Sequence, residues 1–180
     1  MLKEKIGFIG GGKMGEALAK GLIRAKLSTA DNIIVSDVDS KRCQVFEEET
    51  GMKTTQDNRE VTANSDVIIL AVKPNIMGTI LEELKNDITS EHLVVSIAAG
   101  IPLNFMESSL NEGCRAIRVM PNTPCLVGET AAGYALGKNA TQDDGELVGR
   151  ILNAVGKSYL LEEKYLDAVT GLSGSGPAFI

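Results

Sequence analysis

Three glycines near the start of the chain could hold the pyrophosphate of a dinucleotide. A short apolar stretch runs into a helix-like pattern through Gly-x-Gly-x-x-Gly, at Gly10, Gly12 and Gly15. In such a motif the first glycine permits a tight strand-to-helix turn, the second lets an anion approach the backbone, and the third lets the helix pack on the strand. The helix N-terminus adds unpaired N–H groups and partial positive charge. The sequence therefore predicts a dinucleotide site here, with an ordinary strand-to-helix turn as the alternative.

Polar residues after the predicted second strand could select the ribose of the nucleotide. Asp37 falls 22 residues after Gly15, where a carboxylate accepts hydrogen bonds from the ribose 2′-OH of NAD. Capping of the following helix is a second interpretation of Asp37. Hydroxyl groups and cations nearby could instead donate to the 2′-phosphate of NADPH: Ser36, Ser40, Lys41 and Arg42. These residues leave both NADH and NADPH open as the cofactor.

Three other residues with reactive side chains have plainer interpretations. Lys73, between a buried strand and a proline, is either a cation beside the cofactor or a charge at a strand end. His92, the only histidine, lies between a helix and a strand and fits a surface loop. Cys125 has no histidine near it in the sequence, which favours a structural thiol over a nucleophile. The residues alone therefore assign no catalytic group.

Alternating strand and helix patterns predict the framework that positions these residues. Predicted strands such as 67–70 are apolar throughout, as is typical of a parallel sheet covered on both faces. The pattern predicts an α/β fold, a Rossmann-like doubly wound and mostly parallel sheet with helices on both faces. The predicted strands are 6–10, 33–36, 66–72, 93–97, 116–120, 131–135 and 158–161, and the predicted helices are 14–25, 40–49, 77–84, 102–110 and 143–154.

Small, polar or proline-containing loops follow the predicted strands. Ligands of open α/β sheets bind beyond the carboxyl ends of the strands. The loops 36–42, 71–75, 98–100 and 121–124 should therefore converge with the glycine loop on one edge. Each loop alone fits ordinary turn chemistry, but together behind the glycine motif they predict a cofactor cleft.

Composition narrows the classes of partner. The 180 residues carry a net charge of −6, which argues against non-specific binding to nucleic acids or anionic membranes. No apolar run is long enough to span a membrane. Cys43, Cys114 and Cys125 are widely spaced and accompanied by a single histidine, so we expect no metal site and reduced thiols in a cytoplasm. We therefore expect a small-molecule substrate and no nucleic-acid or membrane partner.

Five motifs follow one another along the chain: Phe8-Ile9-Gly10-x-Gly12, Ala71-Val72-Lys73-Pro74, Ser96-Ile97-Ala98-Ala99-Gly100, Met120-Pro121-Asn122-Thr123-Pro124 and the segment from Thr170 to Ala178. Their order and spacing resemble those of the pyrroline-5-carboxylate reductase family, over essentially the whole chain. The resemblance implies reduction of 1-pyrroline-5-carboxylate to L-proline by hydride from NADPH or NADH, the last step of proline biosynthesis.

The resemblance also implies binding residues. Glu163 falls where the family has a glutamate near the substrate, and backbone donors at Ser175 and Gly176 could hold the substrate carboxylate. Val72 to Pro74 and Ala99 to Gly100 are expected at the nicotinamide end. The family's cofactor contacts correspond to Ile9, Gly10, Gly11, Gly12, Lys13, Met14, Ser36, Asn58, Ala71, Val72, Lys73, Pro74, Ala99, Gly100 and Ile101, and Asp37 adds the expected ribose contact.

The family pattern differs from this chain in two respects. Members often carry a 2′-phosphate loop where this chain has Asp37, which weakens the expectation of NADPH. Members also have a helical domain that forms the dimer and completes the active site. We expect residues 1–163 to form the dinucleotide-binding domain and 164–180 to begin the linking helix, so that these residues alone bind cofactor but have little activity. The full-length protein is expected to be a homo-oligomer built on a dimer.

Two other kinds of function remain as alternatives. One is a related reductase of the 3-hydroxyacid dehydrogenase or F420 type, against which the Pro-Asn-Thr-Pro and Gly-Ser-Gly-Pro motifs argue. The other is a non-catalytic sensor that binds NAD(P) and signals through a partner. Cofactor binding alone does not separate a sensor from an enzyme.

Overall fold

The computed structural model describes residues 1–174 and residue 176. In these residues strands and helices alternate along the chain. The strands are β1 Ile6–Ile9, β2 Ile33–Ser36, β3 Lys53–Thr55, β4 Val67–Leu70, β5 Leu93–Ser96, β6 Arg115–Met120, β7 Thr130–Leu136 and β8 Gly156–Leu160. The α-helices are α1 Lys13–Arg24, α2 Ser40–Thr50, α3 Asn58–Ala63, α4 Met77–Leu84, α5 Leu103–Ser109, α6 Gln142–Asn153 and α7 Leu166–Val169, the last followed by a π turn at Thr170–Gly174.

All eight strands form one sheet in the order β3-β2-β1-β4-β5-β6-β7-β8. The first six are parallel, β7 is antiparallel to β6, and β8 is again parallel to β7. The chain runs outward from β1 to β3 and then returns to β4 on the other side of β1, so the direction of winding reverses between β1 and β4. This is the switch point at which doubly wound sheets bind ligands. The predicted fold class is confirmed.

Both faces of the sheet are covered by apolar side chains. Each residue of β1, β2, β4 and β5 is buried. On one face Phe8 packs in a cluster with Leu18 of α1 and Val148 of α6. On the opposite face Ile68 packs with Leu81 of α4 and Met106 of α5. Burial on both faces explains why these strands are apolar throughout rather than alternating in polarity.

The sequence prediction missed β3 and α3. The strand β3 has three residues, and its Lys53 side chain is exposed at the sheet edge, so it lacks the apolar run that marks the inner strands. The helix α3 has six residues, too few to show a helical period. Asp57 caps it by accepting a hydrogen bond from the Arg59 N–H at 2.9 Å. These two elements matter because α3 begins at Asn58, at the edge of the predicted cleft.

No helix within the described part of the chain is both long and apolar enough to cross a membrane.

Candidate functional site

The glycine loop makes the turn that the motif predicts. Gly10 has φ of 101°, and a Cβ there would lie 2.6 Å from the carbonyl oxygen of Ala71. A Cβ on Gly15 would lie 2.6 Å from the Gly10 oxygen. At Gly12, by contrast, a Cβ would meet no atom within 4 Å. Gly10 and Gly15 therefore permit tight packing, whereas Gly12 faces open space beside the first turn of α1.

A carboxylate fixes the glycine loop from the neighbouring strand. The Gly11 N–H donates to Asp37 Oδ2 at 2.9 Å, and the Asp39 N–H donates to Asp37 Oδ1 at 3.0 Å. Because each carboxylate oxygen can accept two hydrogen bonds, Asp37 retains acceptor positions for a ligand. Asp37 therefore both shapes the loop and faces the cleft.

An ion-pair network lies behind the same loop. Arg42 Nε donates to the Gly11 carbonyl at 2.6 Å, and the Arg42 guanidinium also pairs with Glu16 of α1. Glu16 forms a second ion pair, with Lys20 at 2.6 Å. Burial by itself raises the pKa of Glu16, but the hydrogen bonds and charges of Lys20 and Arg42 outweigh it and hold that pKa below its usual value. Glu16 therefore stays ionised and keeps Arg42 turned towards the loop.

One cavity, of about 360 Å³, lies on the β2 side of the glycine loop. Ser36 Oγ donates to Asn58 Oδ1 at 2.7 Å, which places a polar pair on its wall. Exposed apolar side chains, Val38 and Ile76, stand at its rim. The lining residues are Ile9, Gly10, Gly12, Ser36, Asp37, Val38, Asn58, Ala71, Val72, Lys73, Ile76 and Ile80. This cavity combines hydrogen-bonding groups with an apolar rim, as an adenosine would require.

A second cavity, of about 310 Å³, lies on the β5 and β6 side of β4. It shares Ala71 and Val72 with the first cavity, so the two adjoin across the loop that follows β4. Its wall is mostly apolar. The lining residues are Met14, Ala71, Val72, Pro74, Ile97, Ala98, Ala99, Met120, Pro121, Asn122, Thr123 and Gly174. The two cavities therefore lie side by side at the carboxyl ends of the parallel strands.

Asn122 connects this second cavity to the last described segment of the chain. Its Oδ1 accepts hydrogen bonds from Thr130 Oγ1 at 2.9 Å and from the Ala131 N–H at 3.0 Å. Its Nδ2 donates to Ser173 Oγ at 3.0 Å, and Ser173 Oγ donates in turn to the Ala131 carbonyl at 2.9 Å. The segment that follows α7 is thereby held against the cavity, which explains why Gly174 is part of its lining.

Glu163 is held by a buried arginine outside both cavity linings. Its Oε1 accepts from the Leu103 N–H of α5 at 2.7 Å and from Arg118 Nη1 at 3.2 Å. Arg118 Nη2 donates to Asp167 Oδ1 at 2.8 Å, and the Arg118 side chain is only 6% exposed. This network attaches the start of α7 to β6 and α5. The predicted contact of Glu163 with substrate stays a prediction.

The two buried cysteines do not resemble catalytic nucleophiles. Burial raises the pKa of the Cys125 thiol to about 11, and burial also raises the pKa of Cys114. A thiol with a raised pKa is a poor nucleophile near neutral pH. Across residues 1–174, no group of three or more His, Cys, Asp or Glu side chains could hold a metal ion.

The structure brings most of the predicted cofactor residues to the two cavities. Gly11 lines neither cavity, but its N–H donates to Asp37 and its carbonyl accepts from Arg42. Lys13 begins α1, and Gly100 and Ile101 follow the lining residue Ala99 without lining either cavity. Gly176 is half-buried, and Ser175 lies outside the described residues. Sequence reasoning missed Arg42 as a support of the loop, Arg118 and the side-chain contacts of Asn122, because each acts through residues distant in the sequence.

Comparisons with known proteins agree with this geometry. Residues 5–100 match the sequence family described as NADP oxidoreductase, coenzyme F420-dependent. The whole chain is 50% identical to pyrroline-5-carboxylate reductase of Methanosarcina acetivorans and covers 67% of that protein. The structure also superposes on a solved pyrroline-5-carboxylate reductase from Coxiella burnetii with a TM-score of 0.94 and 36% sequence identity. The match covers 99% of this chain and 66% of that chain.

A second solved structure has a nucleotide bound. It is the Plasmodium falciparum pyrroline carboxylate reductase with NADP bound, which is 35% identical with a TM-score of 0.89, over 99% of this chain and 65% of the other. The sheet order and the glycine loop define a Rossmann-like α/β domain. On the comparisons above, the chain belongs to the pyrroline-5-carboxylate reductase family. It spans about two thirds of the length of these relatives.

Proposed function

We propose that the protein reduces 1-pyrroline-5-carboxylate to L-proline with hydride from a reduced nicotinamide dinucleotide, the last step of proline biosynthesis. The observation that carries the proposal is the pair of adjoining cavities at the switch point of the sheet, with the open side of Gly12 in the lining of the first cavity. Family membership supplies the substrate class, because the relatives named above are reductases of this imine.

The cleft suits the parts of such a cofactor. Pyrophosphate would lie over Gly12, where a side chain would otherwise stand and where the first turn of α1 presents backbone N–H groups. Adenosine would occupy the cavity bordered by Asp37, Asn58 and the apolar rim. Nicotinamide would extend past Ala71 to Pro74 into the cavity that contains Ala99. These assignments place the pyrophosphate and the ribose beside groups that can form hydrogen bonds, and the adenine and nicotinamide rings beside apolar side chains.

When bound, the nicotinamide ring supplies hydride to the carbon of the substrate C=N bond. A protonated cyclic imine accepts hydride readily, so the residues of this chain mainly position the two reactants and limit access of water. Val72 and Pro74 restrict one side of the cavity, and Met120 and Asn122 border it near the last described segment. Backbone donors at Ser175 and Gly176, together with Glu163, remain our proposed contacts for the substrate. No side chain is assigned as the proton donor.

We further propose that residues 1–163 form the nucleotide-binding unit and 164–180 begin the connection to a helical dimerisation domain. The Arg118 network and the Ser173 bonds attach residues 163–174 to the completed sheet, so this connection would start from a fixed position. The full-length protein is proposed to be a homo-oligomer, and a low activity is proposed for the 180 residues alone. A cytoplasmic location is proposed as well, since three free cysteines suit a reducing compartment.

The proposal is tested by two measurements. The full-length protein should oxidise NADH or NADPH in the presence of pyrroline-5-carboxylate and form an equal amount of proline. The loss of absorbance of the reduced nicotinamide measures the oxidation. The 180-residue chain should bind the reduced cofactor but turn over slowly. Failure of the full-length protein to consume cofactor with this substrate would overturn the proposed reaction. Rapid turnover by the 180-residue chain would overturn the proposed need for the helical domain.

A further inference from the structure

We propose that the cofactor site is built for NADH and discriminates against NADPH, through the Asp37 carboxylate. The inference rests on the proposed function, since it concerns the same cleft. NADH and NADPH differ only at the adenosine ribose, where NADPH carries a 2′-phosphate in place of a hydroxyl group. The solved structure from Plasmodium falciparum has NADP bound, so this chain would differ from that relative in how it binds the adenosine ribose.

Asp37 is fixed where the ribose must lie. It follows β2 directly, lines the adenosine-side cavity and is joined to the glycine loop by the Gly11 N–H. The Asp39 N–H holds its second oxygen, so the carboxylate has little freedom to turn away from the cleft. Its remaining lone pairs can accept hydrogen bonds from ribose hydroxyl groups, which are donors. A ribose phosphate has no such donor and carries about −1.5 to −2 charge at neutral pH, so it would meet a fixed negative charge.

The cation that could neutralise a 2′-phosphate is engaged elsewhere. Arg42 lies on the first turn of α2 beside Asp37, but its Nε donates to the Gly11 carbonyl and its Nη2 pairs with Glu16. Glu16 is itself held by Lys20, and Lys20 also pairs with Glu49 at 2.7 Å. If Arg42 turned towards a phosphate, it would lose both its hydrogen bond to the Gly11 carbonyl and its ion pair with Glu16. The network therefore uses the local positive charge to shape the glycine loop rather than to bind phosphate.

Two other cations lie near this region, and both are exposed: Lys73, which lines the adenosine-side cavity after β4, and Lys41. Lys41 is exposed at the second position of α2, on a side chain with several rotatable bonds. An exposed lysine gains little from pairing with a phosphate because solvent screens the charge. Neither Lys41 nor Lys73 should therefore offset the repulsion between a 2′-phosphate and Asp37.

The test compares ligands that differ only in the 2′-phosphate. ADP-ribose and 2′-phospho-ADP-ribose lack nicotinamide, so their affinity for the 180-residue chain reports the adenosine end without any turnover. Calorimetric titration should give a Kd for ADP-ribose that is lower by about tenfold or more, as expected from a hydrogen bond to a charged group. NADH should likewise bind with a lower Kd than NADPH.

Variants identify the group responsible. Asp37→Asn keeps an acceptor oxygen for the Gly11 N–H but removes the charge, so ADP-ribose should bind more weakly and 2′-phospho-ADP-ribose more tightly. Asp31→Asn, at an exposed site before β2, changes the net charge equally and should alter neither affinity. Lys41→Ala should leave the discrimination of the wild type unchanged.

Three outcomes would contradict the inference. Equal or tighter binding of 2′-phospho-ADP-ribose by the wild type would show that the site accepts the phosphate. Equal weakening of both ligands by Asp37→Asn would show that Asp37 only shapes the loop. If the wild type bound neither ligand, the proposed nucleotide site itself would be overturned, and the specificity with it.

Discussion

Gly10 and Gly12 belong to one loop but have different tasks, and this difference can be tested by the same substitution at both positions. Gly12→Ala should leave the free energy of unfolding nearly unchanged, because the added Cβ meets no atom within 4 Å. It should weaken binding of NADH strongly, since the methyl group would occupy the space that the pyrophosphate needs. Denaturant unfolding and calorimetric titration measure the two quantities separately.

Gly10→Ala is the matched comparison and should act on the fold. Its φ of 101° is unfavourable for alanine, and the Cβ would lie 2.6 Å from the Ala71 carbonyl oxygen. We expect a loss of more than about 2 kcal/mol in the free energy of unfolding. If Gly12→Ala proved as destabilising as Gly10→Ala, or if it bound NADH like the wild type, the assignment of Gly12 to the pyrophosphate would be wrong.

At the scale of elements, Arg118 joins the segment around α7 to the sheet. Arg118→Met should lower the free energy of unfolding by about 1–3 kcal/mol, less than for a fully buried pair because Glu163 is partly exposed and Asp167 is largely exposed. It should also increase proteolytic cleavage within residues 163–174. Asp167→Asn is the control, and since the Asp167 side chain is 81% exposed, it should cost less than about 1 kcal/mol. Equal effects of the two substitutions would contradict a structural role centred on the buried guanidinium.

The elements differ in how far the sequence predicts them. Inner strands such as β4 are recognisable because all four residues are apolar and buried. The edge elements β3 and α3 are short and polar, so no period identifies them. A local signal did exist for α3, because Asp57 is followed three residues later by Glu60, the spacing of a capping box. Lys53 and Glu60 then pair at 2.6 Å across the two elements, a contact that no local pattern shows.

In the candidate site, too, some residues are predictable from the sequence and others are not. The glycine loop and Asp37 are predictable because their spacing follows from strand-to-helix geometry. The roles of Arg42 and Asn122 are not, because their partners Gly11 and Ser173 lie far away in the sequence. Local motifs therefore predict where the ligand binds, whereas the side chains that hold the loops in place emerge only from the folded chain.

At the scale of the whole molecule, the cleft joins both halves of the sheet, so nucleotide binding should stabilise the chain as a unit. NADH at about one hundred times its Kd should add about 2.7 kcal/mol to the free energy of unfolding, which raises Tm by about 5–10 °C for a chain of this size. Scanning calorimetry measures the shift, and one transition is expected with and without ligand, because Ala71 and Val72, which follow β4, line both cavities. Gly12→Ala should retain the Tm of the free protein and lose most of the shift. A second transition that NADH leaves unmoved would show that the two halves unfold separately and that the cleft does not couple them.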